Sequence, residues 1–303
     1  MKLFILGSYA IDELGYFKGR FQDLIKNDLI EKLSLSFVVE GSEVSFGGCA
    51  GNIAYGLAQV GATAELCGFL GKDGTAYYEH LKALGMGLDH LKMVQGQTAR
   101  AVITSDLEGA QIAHFNPGVI GKDAASFDLP TEAKSGDLFL VAPENPQRMK
   151  EAARLAKEAG LQVYIDLGQV IHVFAPEELK TFLGGSAGVF VNEYEWDLLK
   201  SLSGESQNEI LNRTPLLVLT KGAQGVELLT RDTQSSFPAF PADVQDATGA
   251  GDAFRAGFLA ALLEKRPLES CIRLGMLLAA QSVEHRFAQG YTLDEERKAL
   301  MGS

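Results

Sequence analysis

Short apolar runs alternate with longer stretches of helical periodicity along most of this chain. Residues 2–6, 64–69, 137–142, 162–166, 188–192 and 216–220 are rich in leucine, β-branched and aromatic residues. Runs of that length and composition read as strands buried on both faces. Between and after them, residues 50–60, 73–84, 146–159, 193–202, 253–263 and 268–284 carry helical patterning, and Gly85-Met86-Gly87 supplies a stop for the second of these. Residues 225–230 and 234–239 predict a hairpin around Arg231-Asp232. Repeated strand–helix units predict an α/β fold: a mostly parallel sheet, helices on both faces, and ligands at the carboxyl ends of the strands.

Two segments break the rhythm. Residues 12–46 have no helical core but include an alternating, β-branched stretch at 32–43. Residues 98–115 hold two short strand candidates, 101–104 and 111–115. They predict a small β-sheet lid, residues 13–46 and 97–118, inserted in a single domain of residues 1–303; extra strands on the main sheet are the alternative. A lid would shield a reaction from water.

The chain has 303 residues and a formal net charge of −12. That charge argues against nucleic acid or an anionic membrane as partner, while leaving room for a nucleotide substrate. Cys49, Cys67 and Cys271 are few, odd in number and match no metal-ligand spacing, which predicts a reducing, cytoplasmic setting. Residues 1–8 read as a buried strand instead of a leader, and no apolar run approaches the roughly 20 residues of a membrane span.

The densest chemistry lies at residues 246–263. Gly249, Ala250 and Gly251 form a glycine turn opening a helix, a place where free N–H groups and the helix dipole favour an anion. Asp252 inside that turn would repel the same anion. It therefore reads as a base that takes a hydroxyl proton while the turn stabilises a transferring phosphoryl group. The plainer reading is a helix start with an acidic first turn.

Asp246, Thr248, Gly249, Gly251, Asp252, Ala256 and Gly257 together resemble the C-terminal signature of the ribokinase-like (pfkB) carbohydrate kinases. Residues 46–55, with Gly47, Gly48, Gly51 and Asn52, look like the first signature of that family. The resemblance implies a three-layer α/β/α sandwich and ATP-dependent phosphoryl transfer. It implies that Asp12 holds two hydroxyls of the acceptor, with Gly47 and Gly48 allowing close approach. Asn52, donor and acceptor at once, suits a diol; capping its helix is the alternative. Asn192 and Glu195 match an NxxE motif, implying Mg²⁺ held beside phosphates through water; a helix cap explains the same residues. Thr220, Gly222 and Gly225 resemble the nucleotide-binding turn, for which a plain strand–turn–strand is the alternative. No P-loop, strict dinucleotide fingerprint or HExxH motif is present.

Local strings at 19–21, 32–38, 98–100, 111–113 and 115–118 are similar to bacterial and archaeal adenosine kinases. The likeness implies Phe37 and Phe115 as stacking partners for a purine, with packing between lid and core as the alternative. Glu144, after a strand, is a candidate to face acceptor or phosphates. Asp246 is a candidate for a monovalent cation such as K⁺, with Gln289 and Gly290 in the same region. The expected activity is transfer from ATP to the 5′-hydroxyl of a ribonucleoside, adenosine foremost. A ribose or hexose kinase and a non-catalytic nucleoside sensor are the rivals. The expected state is a monomer or a homodimer paired through the lid.

Overall fold

The computed structural model describes every residue except 26–34, 109, 122–126, 295, 296, 298 and 300–303. In chain order the strands are β1 (Leu3–Leu6), β2 (Ala10–Tyr16), β3 (Ser42–Gly47), β4 (Glu65–Gly71), β5 (Gly87–Val94), β6 (Ala99–Ser105) and β7 (Gln111–Asn116). They continue as β8 (Leu138–Val141), β9 (Gln162–Asp166), β10 (Gly188–Asn192), β11 (Leu217–Thr220), β12 (Val226–Leu229) and β13 (Gln234–Phe237). The helices are α1 (Phe21–Leu24), α2 (Cys49–Gln59), α3 (Thr75–Ala83), α4 (Pro146–Glu158) and α5 (Pro176–Leu183). Then follow α6 (Glu193–Ser203), α7 (Gln207–Arg213), α8 (Ala250–Leu263) and α9 (Leu268–Val283).

Nine strands make one sheet in the order β13-β12-β11-β10-β9-β8-β1-β4-β5. From β11 to β5 the pairings are parallel, and the β12–β13 hairpin closes one edge in antiparallel fashion. The period of two along each strand divides the core. Leu3 and Ile5 of β1 pack on one face with α2, α3, α8 and α9, whereas Phe4 and Leu6 pack on the other with α4 to α7. This is the three-layer α/β/α sandwich anticipated from the alternation.

The irregular segments form a second sheet of four strands, β3-β2-β6-β7, and do not extend the first. Within it β2 runs parallel to β6 and antiparallel to β3. The strand anticipated at 32–43 is displaced: β3 spans Ser42–Gly47, residues 35–41 form no strand, and 32–34 lie outside the described residues. Strands β2 and β5 and helices α5 and α7 were not anticipated. The helix anticipated from residue 73 begins with a 3-10 turn at Lys72–Gly74.

Close helix packing brings the two signature segments together. A side chain at Gly56 of α2 would meet the Ala256 methyl of α8 at 2.6 Å, and one at Gly257 would meet the Leu274 carbonyl of α9 at 2.5 Å. Glycine at these points lets α8 lie against both neighbours. The starts of α2 and α8 consequently adjoin at the carboxyl end of the large sheet.

Candidate active site

Helix α8 starts at a bare turn. Gly249 has φ 78°, in the left-handed region, and no side chain caps the helix. A Cβ on Gly249 would collide with the Ala288 methyl, and one on Gly251 would lie 2.6 Å from Arg255 Nη1. At Gly249 conformation and space thus both require glycine, and the first-turn N–H groups are left without a side-chain partner. Asp252 stands in this first turn. Its Oδ2 accepts a bond of 2.8 Å from Asn52 Nδ2, 200 residues away in sequence. Burial raises the Asp252 carboxyl above its ordinary range, while Arg255 and the Asn52 bond pull it back and Glu195 adds to the rise.

Asn52 is buried within α2, whose cap is Gly48 with φ 84°. The capping alternative is therefore not what the structure contains. The amide that suits a diol is also engaged inside the protein: its Nδ2 faces Asp252, and its Oδ1 accepts from Gln289 Nε2 at 3.1 Å. Gly48 is pressed against the Ser8 carbonyl, 2.6 Å from where its Cβ would lie, so it holds β1, β2 and α2 together. A Cβ on Gly47 would overlap the Asp12 carboxylate. Glycine there gives Asp12 its place.

Asp12 of β2 pairs in register with Ser45 of β3 and faces a cleft of about 640 Å³ between the small sheet and two segments, 245–248, which leads into α8, and 286–288. That volume lies within the roughly 300–1,000 Å³ usual for small-molecule sites. Burial, with the charge of Asp252 adding to it, pushes the Asp12 carboxyl up to about 6. Tyr16, Asp246, Thr248, Arg286 and Phe287 line the same cleft. The Arg286 guanidinium lies 5.1 Å from the Tyr16 ring centre and 5.5 Å from that of Phe287. Phe287 has φ 68°, a strained conformation for a bulky residue. Asp246 fastens that segment: its carboxylate accepts from the N–H of Phe287 at 3.1 Å and of Thr248 at 2.9 Å. Those two bonds tie residues 246–248 to residue 287.

Beneath the α8 turn lies a residue that sequence reasoning missed. Arg255 is buried, and its Nη2 contacts Asp166 Oδ1, at the end of β9, at 2.7 Å. Burial works against its charge, yet Asp166, Asp252 and Glu195 together hold it raised. The signal was visible: Arg255 is the one charge within 253–263, three residues after Asp252 and on the same helix face. Burial pushes Asp166 up to about 7, against the opposing pull of Arg255.

Helix α6 starts differently. Asn192 Oδ1 accepts from the Glu195 N–H at 2.8 Å, and Glu195 Oε2 accepts from the Asn192 N–H at 2.9 Å, a reciprocal capping box. The buried Glu195 carboxylate keeps its other oxygen for a further partner. Among the described residues no group of three His, Cys, Asp or Glu side chains is arranged to hold a metal ion. The donor set therefore fits a Mg²⁺ bound through water and not one held in a protein cage. In the turn after β11, Gly222 has φ 53° and open space around it, while Gly225 is fixed by close contact with the Phe237 carbonyl. Thr220 bonds weakly to the Val191 carbonyl at 3.4 Å.

Of the anticipated acceptor residues Asp12 alone lines the cleft; Gly47, Gly48 and Asn52 are placed as described above, and Glu144, Phe37 and Phe115 have other positions. Glu144 is fully buried and bonded to Arg148, with both carboxylate oxygens within 2.9 Å of Arg148 Nε. An ion pair inside the core takes the place of the anticipated contact with acceptor or phosphates. Phe37 packs on Phe17 and Phe21, with ring centres 5.1 and 5.2 Å away. Phe115 shares the face of Asp12 through Ala101, but it sits on the edge strand β7, 53% exposed, and does not line the cleft. Tyr16 and Phe287 supply the aromatic lining instead.

Residues 20–295 match the model of the pfkB family carbohydrate kinases. A Burkholderia thailandensis nucleoside kinase, solved with inosine, superposes with a TM-score of 0.85 at 32% identity, covering 99% of this chain and 98% of that one. The same protein has been solved with ADP-inosine. A nucleoside kinase of Methanocaldococcus jannaschii is 29% identical over 258 residues, 84% of each chain. An ATP-dependent ribose-1-phosphate kinase of Halopiger xanaduensis is also 29% identical, over 80% of this chain and 83% of the relative.

Proposed function

The chain belongs to the pfkB family of carbohydrate kinases, and we propose that within it this protein transfers the terminal phosphoryl group of ATP to the 5′-hydroxyl of a ribonucleoside, adenosine foremost. The observation that carries this reading is Asp252: a desolvated carboxylate at an uncapped helix start, oriented by Asn52, beside a cleft whose far wall holds Asp12.

The acceptor enters between the small sheet and the α8 turn. Asp12 accepts hydrogen bonds from two ribose hydroxyls, and an analogue lacking them leaves a buried carboxylate unpaired. Tyr16 and Phe287 flank the base, and the small sheet acts as a lid over both. Asp252 takes the proton of the acceptor hydroxyl as its oxygen attacks phosphorus. The Gly249–Gly251 N–H groups, with Arg255 beneath them, meet the charge spreading over the transferring phosphoryl oxygens. The ADP portion lies along the turn of Thr220, Gly222 and Gly225. Asn192 and Glu195 would hold Mg²⁺ through water, and the ion would supply charge neutralisation for the phosphates.

Nucleosides are favoured over free sugars because the cleft is large and carries two aromatic walls, and because the Burkholderia relative is a nucleoside kinase seen with inosine. An acceptor panel with ATP and Mg²⁺ tests this. ADP should form with adenosine at a kcat/KM at least about tenfold above ribose or fructose, the order expected for one stacked base. Sugar turnover matching or exceeding that of every nucleoside would refute the nucleoside assignment while leaving the phosphoryl-transfer machinery intact.

A further inference from the structure

Gln289, in the segment after α9, touches three polar groups. Its Nε2 lies 3.1 Å from Asn52 Oδ1 and 2.9 Å from the Tyr77 hydroxyl, and its Oε1 lies 3.0 Å from His80 Nε2. The Tyr77 hydroxyl has a single proton and gives it to the Gly47 carbonyl at 2.6 Å. Its oxygen is therefore an acceptor toward Gln289, which must present its NH₂ on that side. The same NH₂ supplies the second donor, to Asn52 Oδ1, and Gln289 Oε1 is left to accept from His80. Phe46 holds the two rings in place, stacked on Tyr77 at 4.4 Å and on His80 at 4.8 Å.

This polarity leaves Asn52 one orientation. With Oδ1 committed to Gln289, Nδ2 points at Asp252 Oδ2. A reversed Gln289 would set its oxygen against the Tyr77 oxygen and would turn Asn52 Oδ1 toward a carboxylate, two repulsive contacts in place of two bonds. The Nδ2 bond holds Asp252 Oδ2, and no described residue bonds its Oδ1, the oxygen left for an acceptor hydroxyl. We propose that Gln289 is a positioning residue for Asp252, acting through Asn52, with Tyr77 and His80 setting the direction of the relay from the Gly47 carbonyl. The proposal rests on reading Asp252 as the base.

The relay predicts an outcome that simple packing does not. Gln289→Glu keeps the size and a partner for His80, but it offers Asn52 an acceptor in place of a donor. Asn52 then turns its NH₂ toward residue 289 and its oxygen toward Asp252. Steady-state kinetics should show kcat down at least about tenfold in Gln289→Glu, no less than in Gln289→Leu, with the acceptor KM within about threefold of wild type. In an Asn52→Ala background either change should alter kcat by less than about twofold. Gln289→Glu within twofold of wild type, or equal losses in both backgrounds, overturns the relay. Should the 289 variants fail to fold, His80→Phe carries the same comparison: a loss of kcat in wild type that vanishes in Asn52→Ala supports the relay, and no loss, or one that persists, overturns it. Asp252→Asn measured alongside keeps the two readings apart. If it stays active, base and relay fall together; if it is inactive while Gln289→Glu is not, the relay alone falls.

Discussion

Helices α6 and α8 both open at the carboxyl end of the large sheet with acidic residues in the first turn, and they solve the problem of unpaired N–H groups in opposite ways. At α6 the Asn192–Glu195 capping box closes the end with its own side chains. At α8 the turn is made by Gly249 in a left-handed conformation, and no side chain caps it. A closed start contributes stability and leaves a carboxylate oxygen to hold waters. An open start gives up about 1 kcal/mol of capping and keeps its donors for a ligand. Acidic residues in a first turn therefore do not distinguish a binding site from a cap; where the N–H groups go does.

Substitutions at the two starts should differ accordingly. The largest effect is expected for Gly249→Ala. A left-handed conformation costs an L-residue about 1–2 kcal/mol, and the added methyl group meets Ala288. The turn must move, taking the donors and Asp252 with it. Turnover should fall at least about a thousandfold, as expected when base and anion donors are both displaced, with a lowered melting temperature. Near-normal ADP formation by this variant would mean that the open turn is not where the phosphoryl group is met. The smallest effect is expected for Asn192→Ala, which removes one side of the capping box. Stability should drop by about 1 kcal/mol in denaturant titration, and turnover by less than about tenfold. A loss as deep as that of Gly249→Ala would erase the contrast between the starts.

The alternating elements were legible because strands buried on both faces are written as short apolar runs, as in β1, β8 and β10. Strand β2, AIDELGY, was not, because a strand of the small sheet is only half-buried and carries charges. Strand β3 was displaced for a similar reason: residues 35–41 alternate like a strand without pairing as one. Asp12, Asn52 and Asp252 were legible as members of motifs, but their partnerships were not. The bond between Asn52 and Asp252 and the contacts of Gln289 join residues 200 or more positions apart, set by the packing of α2 on α8. Residue type also gives no direction. Glu144 turned inward to Arg148, and Phe37 packed on other phenylalanines, while Tyr16 and Phe287 took the cleft positions.

The proposed base, Asp252, stands at the open start of α8. Asp252→Asn keeps the size of the side chain and removes the basic oxygen. With ATP, Mg²⁺ and the best acceptor of the panel, ADP formation should fall at least about a thousandfold, while calorimetric titration finds the acceptor bound within about threefold of wild type. More than a few per cent of wild-type turnover in that variant would contradict the assignment of Asp252 as the base.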